Sequence, residues 1–324
     1  MGRKHQNKKG YVKPKWFKVG KFDEVPFTKD PKDGSMLLHL PTDFNIGELP
    51  PVSVVTITRN RSMFASIMLY NWYNYTYPRE KLEWVILDDS DDGKEPLSSY
   101  LPPDDERIHY HKLDRHYRVD EKRNKAVELA QYEFIVHMDD DDYYFPDSIL
   151  AKVRIMLHHN KEGVHSMPIG VYDLMENTSS LFALERETND VAEATLAFRK
   201  SYWKRHPFKS DMENGIGEGR GFVGKQFFRW IKVHFLFNMV SITHSKNITG
   251  HNRRFINDNK EVVAGDFMDV FPEDFKLTLN NVRKLLVEET AYVQPVIEYD
   301  SDQEAKYKRM RKREDVRQGK IAEN

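Results

Sequence analysis

Four consecutive aspartates, Asp139 to Asp142, follow an apolar run, Phe134-Ile-Val136, and precede Tyr143-Tyr-Phe-Pro146. Two like charges about 4 Å apart cost roughly 1 kcal/mol in bulk water and several-fold more near a protein surface. Such a run becomes favourable when something positive sits among it, and a divalent cation with hard oxygen ligands is the simplest candidate. A second acidic cluster, Asp88, Asp89, Asp91 and Asp92, closes the apolar run Glu83-Trp-Val-Ile-Leu87. An isolated acidic run reads first as a solvated turn; a strand in front and aromatics behind favour a site. The chain has no cysteine, so thiolate metal ligation and thiol nucleophiles are excluded and a metal would need oxygen or imidazole donors.

The elements that position these clusters follow from pattern. Val52–Thr58 is β-branched and suits a central parallel strand. Arg59-Asn-Arg-Ser62 turns the chain, Ser62 can cap a helix, and Phe64, Ile67, Met68 and Trp72 recur at helical spacing. Strands are expected at Glu83–Leu87 and Arg107–Leu113, then a helix capped by Asp120 and running through Gln131 into the aspartate strand. Asp147 is expected to cap a further helix. Strand candidates follow at Val164–Leu174, Leu181–Leu184, Ala194–Arg199 and Phe235–Thr243, with helix from about Pro272. This order is an α/β pattern with a mostly parallel sheet. Two strands ending in acid at one edge is its main physical clue, because open α/β sheets bind ligands beyond the carboxyl ends of their strands.

Composition narrows the classes. The 324 residues allow one large or two smaller domains, and 39% hydrophobic with 31% charged residues describes a water-facing globular chain. The formal net charge of −1 gives no global field for nucleic acid. No apolar run is long enough to span a bilayer, and the basic N-terminus lacks a signal-peptide core. Sequons stand at Asn60, Asn74, Asn177 and Asn247; Asn60 and Asn247 fall in stretches assigned to the site, where a glycan would be ruinous, so a cytoplasmic location is expected.

Between Val52 and about Thr249 the chain resembles glycosyltransferase family 2, with the nucleotide-diphospho-sugar transferase fold called GT-A. The motifs are collinear: Thr58-Arg-Asn-Arg61 after the first strand, Val85-Ile-Leu-Asp-Asp-Ser90, Arg123-Asn-Lys-Ala126, and His137-Met-Asp-Asp-Asp-Asp-Tyr-Tyr-Phe-Pro146 for the DxD block. The resemblance implies that Thr58, Arg59, Asn60, Asp88, Asp89, Arg123, Asp139 and Asp140 hold the nucleotide. It also implies that Asp141, with Asp139 and His244, binds Mn²⁺ or Mg²⁺ at the donor diphosphate; His251 is a weaker candidate ligand. Inverting members use a carboxylate from a Glu-Asp pair to deprotonate the acceptor. Here that place reads Gly217-Glu-Gly219, so Glu218 is the expected base, with Asp211 and Glu213 in reserve.

The expected organisation is a basic arm and extended lead-in over 1–50, a GT-A domain over 51–270 and a charged helical extension over 271–324. The expected function is metal-dependent, inverting transfer from a nucleotide-diphosphate sugar, UDP-sugar foremost, to a hydroxyl on a glycan or glycoprotein. The alternative is a non-catalytic sugar-nucleotide or glycan-binding module of the same fold. The basic arm offers peripheral membrane contact, and the C-terminal helix could serve a homodimer. The chain also resembles glycosyltransferases of bacteria or large DNA viruses, and a viral origin would place it in host cytoplasm or virion. Gly219-Arg-Gly-Phe-Val-Gly-Lys225 approaches a P-loop but is followed by Gln226 and preceded by no apolar strand, so that reading fails, as does a dinucleotide fold. Neither cluster fits an EF-hand, the charge balance disfavours a nuclease, and no nucleophile-elbow motif is present.

Overall fold

The computed structural model describes residues 27–29, 36–38, 44–166, 169–182, 191–211, 217–247 and 271–292. The chain divides into two units, 1–283 and 284–324, and the site lies in the first. A short antiparallel pair, β1 (Phe27–Lys29) and β2 (Met36–Leu38), precedes β3 (Val52–Thr58), α1 (Ala65–Asn74), β4 (Leu82–Asp88), β5 (Ile108–Lys112), α2 (Val119–Leu129), β6 (Phe134–His137) and β7 (Tyr143–Tyr144). There follow α3 (Ser148–His158), β8 (Gly163–His165), β9 (Ile169–Asp173), β10 (Thr178–Phe182), β11 (Ala197–Arg199), α4 (Lys200–Arg205) and α5 (Glu218–Val223). The last elements are β12 (Trp230–Lys232), β13 (Met239–Thr243) and α6 (Glu273–Tyr292).

The main sheet has the order β12-β8-β11-β6-β3-β4-β5, and only β11 runs against the others. A smaller sheet, β10-β9-β13-β7, stands beside it. Both faces of the main sheet are buried, which is why its strands read as continuous apolar runs. Alternation divides them: Val54, Trp84, Ile86 and Val136 pack with Met68 and Trp72 of α1 and Ile149 and Val153 of α3. Val55, Val85, Leu87 and Ile135 pack with Ala126 and Val127 of α2, Tyr202 of α4 and Phe222 of α5. Burying a large apolar side chain contributes about 1.5–3 kcal/mol, so the two layers hold β3, β4 and β6 in fixed register.

Several boundaries differ from the sequence reading. Ser62 opens a 3-10 turn and the helix proper starts at Ala65. Asp120 lies inside the first turn of α2 and accepts Ser210 N–H at 3.0 Å, while Glu121 reaches back to Arg118 N–H at 3.2 Å. Asp147 occupies the capping position of α3, but its carboxyl accepts Thr76 Oγ1 at 2.5 Å instead of a helix N–H. The run 164–174 is split between two sheets as β8 and β9, and 235–243 begins with a 3-10 turn before β13. The glycine-rich stretch 215–221 becomes helical from Glu218. The basic arm 1–20, residues 183–184, Glu213, His251 and the charged end 303–320 lie outside the described residues.

Candidate active site

Register brings the chemistry to one edge. β4 and β6 both run parallel to β3, on either side of it, with Thr58 opposite Asp88 and Val55 opposite His137. The carboxyl ends of three strands therefore deliver Thr58, Asp88 and the Asp139 corner together. Thr58 Oγ1 donates to Asp140 Oδ2 at 2.6 Å, and Thr56 Oγ1 donates to Met138 O at 2.6 Å.

The positive charge that the aspartates require is supplied by Arg61. Its Nη1 lies 2.7 Å from Asp140 Oδ1 and 2.7 Å from Asp141 Oδ2, and Nη2 donates to Lys246 O at 2.6 Å. Asp141 Oδ2 also lies 3.0 Å from His244 Nε2 and accepts Asn247 Nδ2 at 3.2 Å. Burial works against the Asp141 charge, but Arg61 and His244 outweigh it and hold the carboxyl down at about 2. Burial raises Asp140 despite the arginine. Burial and the neighbouring Asp141 and Asp139 push Asp142 well above the carboxylate range; its Oδ1 accepts Ile242 N–H at 2.8 Å. Asn71 of α1 clamps the loop from beneath, donating to Asp142 O at 2.8 Å and accepting Tyr144 N–H at 3.0 Å.

Asp139 is the most open of the four, with its side chain 28% exposed and Arg123 Nη1 at 3.4 Å. Arg123 also binds Glu218 through Nε, and the Glu218 side chain is only 2% exposed. His137 is fully buried beneath them. Burial and Arg123 push it well below the usual imidazole range, and its Nδ1 lies 3.1 Å from Arg123 Nη1 and 2.9 Å from Glu193 O. Asp211 is exposed.

On the other side of Thr58, Asp88 is wholly buried and accepts Ser90 N–H at 2.8 Å, the Ser90 hydroxyl and Tyr110 OH at 2.9 Å. Asp89 is closed by Lys122 Nζ at 2.6 Å, His116 Nδ1 at 3.0 Å and Tyr117 N–H at 2.9 Å. Asn60 takes φ 54°, a left-handed value that asparagine tolerates. Its amide exchanges two hydrogen bonds with Asp91, at 2.7 and 2.9 Å, and Arg59 Nη2 joins the same carboxyl at 2.9 Å. These residues tie the turn after β3 to the turn after β4.

Of the sequence-expected residues that are described, all except Asp211 thus belong to one connected group, while Glu213 and His251 lie outside the described residues. The sequence reading assigned no role of its own to Arg61, Lys122, Asn71, Asn247 or Glu193. Arg61 stood in a quoted motif; Lys122 is the neighbour of Arg123 and carried no independent signal. Among the described residues no three His, Asp or Glu side chains form a metal cage. Asp141 Oδ2 and His244 Nε2 do form a carboxylate–imidazole pair of the kind that can hold a divalent transition ion. Such ions are commonly held by one or two protein groups with phosphate oxygens and water completing the shell. The donor set fits, provided that Arg61 Nη1 releases the oxygen it shares.

A mostly parallel sheet with charged groups gathered beyond the carboxyl ends of β3, β4 and β6 is the architecture of a GT-A nucleotide-diphospho-sugar transferase. Residues 53–190 match the model of glycosyl transferase family 2. The chain is 29% identical over 112 residues to the putative teichuronic acid biosynthesis glycosyltransferase TuaG of Bacillus subtilis (strain 168), covering 34% of this chain and 44% of that one. It is 25% identical over 187 residues to the putative colanic acid biosynthesis glycosyl transferase WcaA of Escherichia coli (strain K12), covering 56% and 57%. It spans about half the length of these curated relatives. Among solved structures it resembles the mannosyltransferase PcManGT from Pyrobaculum calidifontis in complex with GDP-Man and Mn²⁺. That likeness has TM-score 0.49 and 17% identity and covers 79% of this chain and 80% of that one. No helix among the described residues is long and apolar enough to cross a membrane.

Proposed function

We propose that the chain transfers a sugar, with inversion, from a nucleoside-diphosphate donor, a UDP-sugar foremost, to a hydroxyl of a glycan or glycoprotein. The observation that carries this reading is the Arg61–Asp140–Asp141–His244 group at the carboxyl edge of β3 and β6, of which Arg61, Asp140 and Asp141 fall inside the segment that matches the family model. A divalent ion held by Asp141 and His244 would offset the charge that develops on the departing diphosphate. Asp139, the open carboxylate, would meet the ribose, and Arg123 and Arg59 face the same edge as cations for the phosphates. Asp88, Asp89 and Asn60 act through the loops they lock. Glu218 holds Arg123, which leaves the acceptor's proton to another carboxylate. The polysaccharide-building assignments of TuaG and WcaA favour a glycan acceptor, and the 51–270 boundary is retained for the transferase domain.

The test is thermal unfolding of the whole chain with UDP, GDP and CDP, each with Mn²⁺ or with chelator. A ligand at 100 times its dissociation constant that binds only the folded state adds about 2.7 kcal/mol. A metal-dependent rise with UDP, lost in Asp141→Ala, is expected. A flat response to all three nucleotides would refute the donor site.

A further inference from the structure

The family resemblance leaves a vacancy: where a Glu-Asp pair is expected, the chain has Glu218 followed by Gly219. The vacancy is filled from elsewhere. A Cβ placed on Gly219 would lie 2.7 Å from Glu193 Cγ, 2.8 Å from its Oε1 and 2.9 Å from its Cδ. Gly219 N–H donates to the same Oε1 at 3.0 Å. The Glu193 carboxyl therefore sits where a side chain at 219 would begin, and the absence of a side chain there is what admits it.

We propose that Glu193 is the proton acceptor of the transfer reaction, supplying in space the carboxylate that position 219 lacks in sequence. This rests on the reading of the chain as a glycosyltransferase. Glu193 opens the 3-10 turn before β11, and β11 runs antiparallel to β6, so the turn lies at the carboxyl end of β6. His137 N–H donates to Leu196 O at 2.9 Å and Tyr144 OH donates to Ala194 O at 3.0 Å, which fixes the turn beside the Asp139 corner. Of the two nearby glutamates, Glu218 is closed by a salt bridge to Arg123 and 2% exposed, whereas Glu193, deep-set with only part of its surface reaching solvent, has no salt bridge among the described residues. The Glu193 carboxyl is held by backbone N–H groups, that of Gly219 on Oε1 and its own, and by no side-chain donor among the described residues.

In the step, the acceptor O–H proton passes to the Glu193 carboxylate while the oxygen forms its bond to the anomeric carbon. The bond from that carbon to the diphosphate oxygen breaks, and its electron pair leaves with the nucleoside diphosphate. The charged groups acting on the Glu193 carboxyl are Glu218 of α5 and Arg123 of α2, while His137 of β6 meets the Glu193 backbone carbonyl at 2.9 Å. Burial, then Glu218, push its carboxyl up to about 7 against the opposing pull of Arg123. A group poised there accepts a proton near neutral pH.

The experiment compares the full chain with Glu193→Gln, Glu193→Ala, Gly219→Asp and the double variant Glu193→Ala/Gly219→Asp. Readouts are UDP binding with Mn²⁺ by calorimetry and UDP release from UDP-glucose, UDP-galactose and UDP-N-acetylglucosamine. Glutamine can still accept Gly219 N–H, so a purely structural Glu193 would tolerate it. The expected result is UDP affinity within about threefold of the parent with kcat lowered at least about 100-fold. Gly219→Asp alone should be impaired by collision with Glu193. The double variant should recover at least about tenfold over Glu193→Ala, because the carboxylate has moved to the vacated space. Release by Glu193→Gln within about threefold of the parent overturns the assignment. So does a parent that binds UDP and releases it from none of the donors. Failure of the parent to bind UDP strikes the glycosyltransferase reading itself, which separates the two failures.

Discussion

Arg61→Met removes the one guanidinium that lies between Asp140 and Asp141 and leaves the two carboxylates facing each other. The three side chains are 13%, 3% and 8% exposed, so solvent screens the pair weakly. Removing one partner of a buried ion pair costs about 3–5 kcal/mol, chiefly because the remaining charge stays desolvated. One kcal/mol shifts the melting temperature of a domain of 150–250 residues by about 2–4 °C, so a loss of about 6–20 °C is expected in chelator at pH 7. The pH dependence has a definite sign. Asp141 is held below its unfolded value, so its ion pair contributes fully above about 3.8 and is lost as pH falls towards about 2. In the variant both carboxylates take up protons more readily, so the gap from the parent should narrow between pH 7 and pH 4. Mn²⁺ should restore part of the loss in the variant, since a divalent ion can take the charge position that the arginine vacates. The assay is differential scanning calorimetry at both pH values with and without the ion. A loss under about 2 °C in chelator, or parallel pH curves, would refute Arg61 as the counter-charge of the aspartate loop.

Two further outcomes bear on the scaffold. Lys152 is fully buried, donates to Asn238 Oδ1 at 3.1 Å, and burial pushes it down to about 7. The unfolded state then binds more protons between about 7 and 10.5, so stability should rise with pH across that window; Lys152→Met should flatten the rise in denaturant midpoints, and an unchanged slope would contradict the assignment. Gly163 lies against the ring of Trp230, which packs among Phe198, Tyr202 and Phe222, and an added Cβ would fall on that ring. Gly163→Ala should cost about 1–3 kcal/mol by overpacking, read as a lower midpoint with altered tryptophan emission; full stability would show that the ring moves freely.

Much of the frame was legible because it is local. The apolar runs of β3, β4 and β6, the helical spacing of Ile67, Met68 and Trp72, and acid at the ends of two strands are set by residues close in the chain. Parallel pairing then had to bring Asp88 and Asp139 to the same edge. What the sequence could not determine is which side chain answers which charge. Arg59 and Arg61 are alike in sequence, yet Arg61 is drawn between two buried carboxylates 79 and 80 residues away while Arg59 joins Asp91 at the surface. Asp88 and Asp89 read as ligand-facing, but packing of β4 between β3 and β5 buries them and turns them towards Tyr110 and Lys122. The missing carboxylate at Gly219 is answered by Glu193, 26 residues earlier, because β11 pairs with β6 and delivers its preceding turn to the start of α5. Desolvation makes each of these buried charges take whatever partner the tertiary packing brings within reach, and that is a property of the fold in space, not of spacing along the chain.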